Sequence, residues 1–145
     1  MKETLRLILT VTIICSLAGA LLAGVNSLTK ERIQDVNRNK KLSAIQEVLP
    51  PCDNQPDANA CVVEYGGRNW TFFVARNGGA FAGAAVETSS SAGYGGDISL
   101  MLGINAENKT QAIAILGQKE TPGLGANIEG DDFKGLFAGK ALATS

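Results

Sequence analysis

The sequence predicts an α+β protein: an N-terminal transmembrane helix and helical stalk, followed by a small, mostly antiparallel-sheet domain. Three observations predict it. Residues 7–25 form an uncharged apolar run, helical spacing continues from there to Leu49, and after Pro50-Pro51 the pattern changes to short strands separated by turn residues. The 145 residues leave room for one small soluble domain once an anchor is set aside.

Residues 1–6 are a short N-terminal segment. The run over 7–25 has only Thr10, Thr12 and Ser16 as polar interruptions and is long enough to span a bilayer. Lys2 and Arg6 before it, and Ala18-Gly19-Ala20 within it, also fit a cleaved signal peptide. Retention as an anchor is the preferred reading, because the run is long for a signal core and no polar, breaker-rich segment follows. Residues 26–50 read instead as a helical stalk, with Ile33, Val36, Leu42, Ile45 and Leu49 spaced among Lys30, Glu31, Arg32, Arg38, Lys40 and Lys41. Basic residues flank both ends of the span, so the charge rule for orientation is ambiguous.

The soluble domain is expected over 51–145. Cys52 and Cys61 bracket Asp53-Asn54-Gln55-Pro56-Asp57-Ala58-Asn59-Ala60, a hydrophilic turn-forming loop. In an oxidising compartment a disulfide between them would close a loop of about ten residues and contribute about 2–3 kcal/mol in the chain-entropy model. The alternative is two independent thiols, and no soft ligands accompany the pair to make a metal site. Cys15, within the apolar run, reads as a packed apolar residue.

Strands are predicted over 61–65 and 69–75 around Gly66-Gly67, then over 80–88 after the turn Asn77-Gly78-Gly79, making an antiparallel meander. Further strands are predicted over 98–105 and 110–116, separated by a turn at 106–109. Residues 131–143 are compatible with a helix presenting Phe133, Leu136 and Phe137 on one face, weakened by Gly135 and Gly139.

Composition removes several kinds of chemistry. The net charge of −1 gives no basic surface for nucleic acid. The chain contains no histidine, which excludes Ser-His-Asp and Cys-His catalysis and His-containing zinc sites. Chemistry would have to come from a cofactor.

Two glycine-rich loops beside β-branched runs point to one. Gly93-Tyr94-Gly95-Gly96-Asp97-Ile98 precedes one predicted strand, and Lys119-Glu120-Thr121-Pro122-Gly123-Leu124-Gly125-Ala126 follows the next. Glycines there let backbone N–H groups come close to a planar or phosphorylated ligand. Taken singly, each has an ordinary explanation: Thr121-Pro122-Gly123-Leu124 fits a type II turn, and Tyr94 could pack on the sheet. Neither loop forms Gly-x-Gly-x-x-Gly, because Ile128 occupies the last position of the frame starting at Gly123, and no Walker sequence is present. The ligand is therefore not expected to be a dinucleotide or a nucleoside triphosphate.

In their order and spacing, behind an anchor and stalk, the loops resemble those of the FMN-binding subunits of membrane redox pumps. These are the G subunit of the Rnf ion-translocating electron-transport complex and its relative, the C subunit of the sodium-translocating NADH:quinone oxidoreductase. The short loops and compact length from Trp70 to Gly125 look closer to the Rnf protein. The resemblance implies an electron-transfer subunit that carries FMN, partnered by other subunits of a membrane complex and by lipid around 7–25. It also implies a bacterial inner-membrane location, with the domain on the periplasmic or extracytoplasmic side.

By the same resemblance, Tyr94, Gly95 and Gly96 would line one side of a flavin slot. Glu120, Thr121, Gly123, Leu124 and Gly125 would line the other, with Leu124 against the ring, Thr121 hydrogen-bonding it, and Lys119 available to the phosphate. Asp97 is assigned a structural role, since a carboxylate beside an anionic flavin is unfavourable.

One departure stands out. Family members join FMN to threonine in a Ser/Thr-Gly-Ala-Thr motif, whereas this chain ends Ala141-Leu142-Ala143-Thr144-Ser145, with Leu142 in the place of the motif's glycine. Attachment is not assigned to Thr144, and the native polypeptide is expected to extend beyond Ser145. The competing function class is a membrane-anchored, non-redox assembly or binding module that keeps the fold without covalent flavin.

Overall fold

A computed structural model of the protein describes residues 2–142. Helix α1 runs Lys2–Val48, and the five strands are β1 (Ala60–Tyr65), β2 (Arg68–Asn77), β3 (Ala80–Ser90), β4 (Ile98–Asn105) and β5 (Thr110–Gly117). A 3-10 turn, Gly125–Glu129, and a short helix α2, Asp131–Gly135, follow among the described residues. The strands form one sheet in the order β1-β2-β3-β4-β5, each antiparallel to the next. This is the predicted meander, and the class is α+β.

Contacts divide the chain into two units, Met1–Asn39 and Lys40–Ser145. In the first, the apolar side chains of α1 are exposed throughout, and the helix is long and apolar enough to cross a membrane. The second is the sheet domain, and it begins earlier than the expected boundary at residue 51. Ala44, Ile45 and Val48 of α1, with Leu49, are buried in one cluster with Phe73, Ala75, Ala85, Met101 and Ala114. The last turns of the expected stalk are thus a layer of the domain itself.

Small residues on the sheet make that layer possible. Gly103 pairs with Ala85 on one side and Ala112 on the other, leaving a shallow track across three strands. A β-carbon at Gly103 would lie 2.7 Å from the Val48 carbonyl carbon and 2.8 Å from the Val48 Cβ, so only glycine admits the helix end here. At the rim of this layer Lys41 pairs with Glu87, and its ammonium lies 5.4 Å from the Phe73 ring centre.

The far face of the sheet is also apolar. A cross-strand row runs Cys61, Phe72, Val86, Leu102, Ile113, and a second runs Thr88, Leu100, Ile115. Ile128, Phe133 and Phe137 from the C-terminal segment cover the β4–β5 end of these rows.

Two expectations are corrected. The bridge between Cys52 and Cys61 is not formed: both thiols are free and exposed. Asp53 and Asn54 explain why. The Asp53 N–H donates to the Arg76 carbonyl, the Gly78 N–H donates to Asp53 Oδ2, and Asn54 exchanges hydrogen bonds with Val74 and Arg76. These bonds fasten the start of the loop to the Val74–Gly78 end of the β2–β3 hairpin, whereas Cys61 sits opposite Phe72. Secondly, the helix expected over 131–143 stops at Gly135. Turns follow, with Gly139 at φ 75°, and Thr110 exchanges backbone hydrogen bonds with Gly139 and Lys140. Ala143, Thr144 and Ser145 lie outside the described residues, and with them the end of that expected helix and the question of attachment at Thr144.

Candidate functional site

The antiparallel order of β3, β4 and β5 brings the two glycine loops together at one end of the sheet. The first loop connects β3 to β4, and the second leaves β5. They touch through Glu120. Its Oε1 accepts a hydrogen bond from the Gly95 N–H at 3.0 Å. A β-carbon at Gly93 would come within 2.7 Å of that same oxygen, and one at Gly125 within 2.6 Å of Oε2. Gly93 and Gly125 therefore leave room for the carboxylate, and the Gly95 N–H donates to it.

This changes the expected geometry. The sequence reading sets Tyr94, Gly95 and Gly96 across a slot from Glu120, Thr121, Gly123, Leu124 and Gly125, but the loops are in contact. Gly95 sits against the Lys119 carbonyl so closely that no β-carbon fits between them. Glu120 braces the loops instead of opening toward a ring. What the joined loops leave exposed is one large side chain each, Tyr94 at 96% and Leu124 at 73%.

The second loop carries the predicted turn. The Leu124 N–H donates to the Thr121 carbonyl at 3.1 Å, and Gly123 has φ 76°, as the third position of a type II turn requires. The Ala126 N–H donates to the same carbonyl, joining the turn to the 3-10 segment. Beside it lies a hollow of about 630 Å³ lined by Leu124, Gly125, Asn127, Ile128, Asp132 and Phe133 among others.

Of the eight residues expected around a flavin, Leu124 and Gly125 line this hollow. The hollow falls within the range of about 300–1,000 Å³ usual for small-molecule sites. Leu124 and Phe133 offer apolar contact there, while Asp132 repels an anion. The exposed Lys119 lies nearer Gly96, and a phosphate would be better placed on that side.

Two residues of this region escape the sequence reading as individual contributors. Gly93 is visible there only as part of its loop, although its missing side chain makes room for Glu120. Gln118 accepts a hydrogen bond from the Glu120 N–H and donates one to Glu129 Oε1 at 3.2 Å, so it sets the base of the second loop. Nothing in the sequence marks a single glutamine for that task. At the other side of the C-terminal segment, Lys134 donates hydrogen bonds to Glu47 and Asp131, each at 3.0 Å, and these two carboxylates raise its pKa above 10.5.

The family model described as the FMN-binding domain matches residues 93–144, which contain both loops. The G subunit of the ion-translocating oxidoreductase complex of Stutzerimonas stutzeri is 33% identical over 142 residues, covering 94% of this chain and 62% of that relative. Its counterpart in Photorhabdus laumondii is 32% identical across the whole chain and 74% of the relative. The G subunit of the Na(+)-translocating ferredoxin:NAD(+) oxidoreductase complex of Acetobacterium woodii is 29% identical, covering 97% of the chain and 74% of the relative. The chain thus spans between 62% and 74% of the length of these proteins.

Proposed function

The chain belongs to the family of G subunits of ion-translocating oxidoreductase complexes, and on that premise we propose that it is an electron-transfer subunit of a membrane-bound, redox-driven ion pump that carries electrons on FMN. The observation that carries the reading is the pair of glycine loops locked by Glu120, which leave Tyr94 exposed on one and Leu124 on the other, with Leu124 lining a hollow of ligand size. When bound, FMN supplies the electron chemistry; the protein supplies orientation and electrostatics. No side chain of the protein is needed as acid, base or nucleophile.

Tyr94 and Leu124 are assigned to contact with the ring. Gly95, Gly96, Gly123 and Gly125 allow close backbone approach, Thr121 is the hydrogen-bonding side chain, and Lys119 the partner of the phosphate. Glu120 is assigned a positioning role, since its carboxylate is occupied by the Gly95 N–H and enclosed by Gly93 and Gly125. The other subunits of the complex are proposed as partners. The domain is proposed to face away from the cytoplasm, a side that rests on the family resemblance.

The test is flavin retention in the full chain co-expressed with its complex. Thr121→Val and Leu124→Ala alter side chains while keeping the backbone turn, and each is expected to lower FMN content or shift its visible spectrum with circular dichroism unchanged. Unchanged content and spectrum in both would move the site elsewhere. A complex that assembles fully while this protein remains free of flavin would favour the non-redox assembly role.

A further inference from the structure

The tip of the β2–β3 hairpin carries the one Asn-Gly pair of the sequence, Asn77-Gly78; every other asparagine is followed by a residue with a side chain. An asparagine side-chain amide is open to attack by the backbone nitrogen of the next residue. Attack is easiest when that residue is glycine, because no β-carbon stands in the way. The hairpin leaves the pair open to water. Asn77 is exposed, Gly78 and Gly79 have φ 58° and 84° as in a type I′ turn, and a β-carbon at Gly78 would meet nothing within 4 Å.

One contact opposes the attack. The Gly78 N–H donates to Asp53 Oδ2 at 2.7 Å, and the Asp53 N–H in turn donates to the Arg76 carbonyl at 2.9 Å. These two bonds clasp the hairpin tip from outside the sheet. The proton that must leave Gly78 is thereby held by a carboxylate, whose charge disfavours the nitrogen anion left behind. The bond also directs the N–H toward Asp53, which restrains the nitrogen from turning onto the Asn77 side chain.

We propose that Asn77-Gly78 is a site of spontaneous succinimide formation and that Asp53 sets its rate by holding the Gly78 N–H. The Gly78 nitrogen gives its proton to hydroxide and forms a bond to Asn77 Cγ. The Cγ–Nδ2 bond breaks, and the leaving nitrogen takes a proton from water and departs as ammonia. Water then opens the cyclic imide at either carbonyl, leaving isoaspartate or aspartate; no oxidant or reductant takes part. The product places a new carboxylate one residue from the N–H that Asp53 holds, and as isoaspartate it lengthens the end of β2 by one backbone carbon. Both changes disfavour the clasp. The site does not depend on the flavin reading, because the β2–β3 turn lies at the end of the meander opposite the two glycine loops.

The test follows the full chain in detergent micelles at mildly alkaline pH. Mass spectrometry of the peptide containing Asn77 measures conversion of amide to acid, and labelling by protein isoaspartate methyltransferase identifies the isoaspartate. Asp53→Ala is expected to speed conversion at Asn77 about ten-fold while Asn59 and Asn108 keep the parent rate. Asp53→Asn keeps the size and an acceptor oxygen but removes the charge, and is expected to speed it about three-fold. Asn54→Ala removes the neighbouring bonds to Val74 and Arg76 but leaves the Asp53 carboxylate, and is expected to stay within about two-fold of the parent.

A parent rate in Asp53→Ala, or equal acceleration by Asn54→Ala, overturns the role of Asp53, the second result assigning the effect to general loosening of the hairpin. Conversion that is faster at another asparagine than at Asn77 overturns the site. If circular dichroism shows that Asp53→Ala does not fold, Asp53→Asn decides, and a rate equal to the parent's overturns the proposal.

Discussion

The Glu120 carboxylate accepts a hydrogen bond from the Gly95 N–H at 3.0 Å across a gap of twenty-five residues in sequence. That one bond, enclosed by Gly93 and Gly125, joins the loop before β4 to the loop after β5. Replacing Glu120 by Gln keeps an acceptor of the same shape, whereas Ala removes it. Glu120→Ala is expected to cost about 1 kcal/mol and to increase proteolysis within residues 93–97 and 119–125, with Glu120→Gln close to the parent. Equal proteolysis of the Ala and parent proteins would mean the brace is dispensable.

Gly103 faces Val48 with no room for a methyl group. Gly103→Ala is expected to destabilise the domain by about 3 kcal/mol, since the added carbon meets backbone and not a movable side-chain end. Gly135→Ala is the contrasting case: its β-carbon meets nothing within 4 Å, and the change is expected to be neutral or stabilising by up to about 1 kcal/mol. Denaturant midpoints of the two variants measure the difference, and similar midpoints would refute the tight contact at Gly103.

The domain boundary gives a third test. A chain beginning at Lys40 keeps Ala44, Ile45, Val48 and Leu49 and is expected to fold as a soluble unit with cooperative melting. A chain beginning at Pro51 lacks them and exposes Phe73, Ala75 and Met101, so it is expected to aggregate or melt without cooperativity. Ile45→Ala within the longer chain is expected to cost about 2–5 kcal/mol. Cooperative melting of the chain from Pro51 would contradict the burial of the helix end.

Alkaline pH probes Lys134. Its pKa is raised from 10.5, chiefly by the hydrogen bond to Glu47 and then by that to Asp131. A group whose folded pKa is raised stabilises the fold fully below its unfolded value and loses that contribution as pH rises through the folded one. Stability of the parent is therefore expected to fall more steeply above about pH 10.5 than that of Lys134→Met. Parallel curves would show that the pair adds nothing, which is the usual outcome for exposed ion pairs.

How much of this is legible in the sequence depends on the range of the interaction. The strands are readable because alternation and the glycine turns at Gly66-Gly67 and Gly78-Gly79 are local, and those glycines do have positive φ. The turn at Thr121 to Leu124 is readable for the same reason. The burial of Ile45 and Val48 is not, because helical spacing looks alike whether the apolar side faces lipid, a stalk partner or a sheet. The distant Gly103, with Phe73, Ala75, Ala85, Met101 and Ala114 around the same helix end, makes the difference. Proximity of Cys52 and Cys61 in sequence suggests a bridge, but the side chains of Asp53 and Asn54 pull the first cysteine toward β2–β3. The role of Glu120 depends on three glycines from two separate loops, a coincidence that no single motif records.

The packing of Val48 against Gly103 has a consequence for synthesis. The end of α1 leaves the ribosome well before β4 and β5 do, yet its buried surface is completed by Met101 and Ala114 from those strands. Until residue 114 has emerged, Ile45, Val48 and Leu49 have no finished sheet to cover, and they are open to chaperones or to one another on neighbouring polysomes. Substitutions near β5 should then lower yield in the cell by more than their effect on the finished protein would suggest.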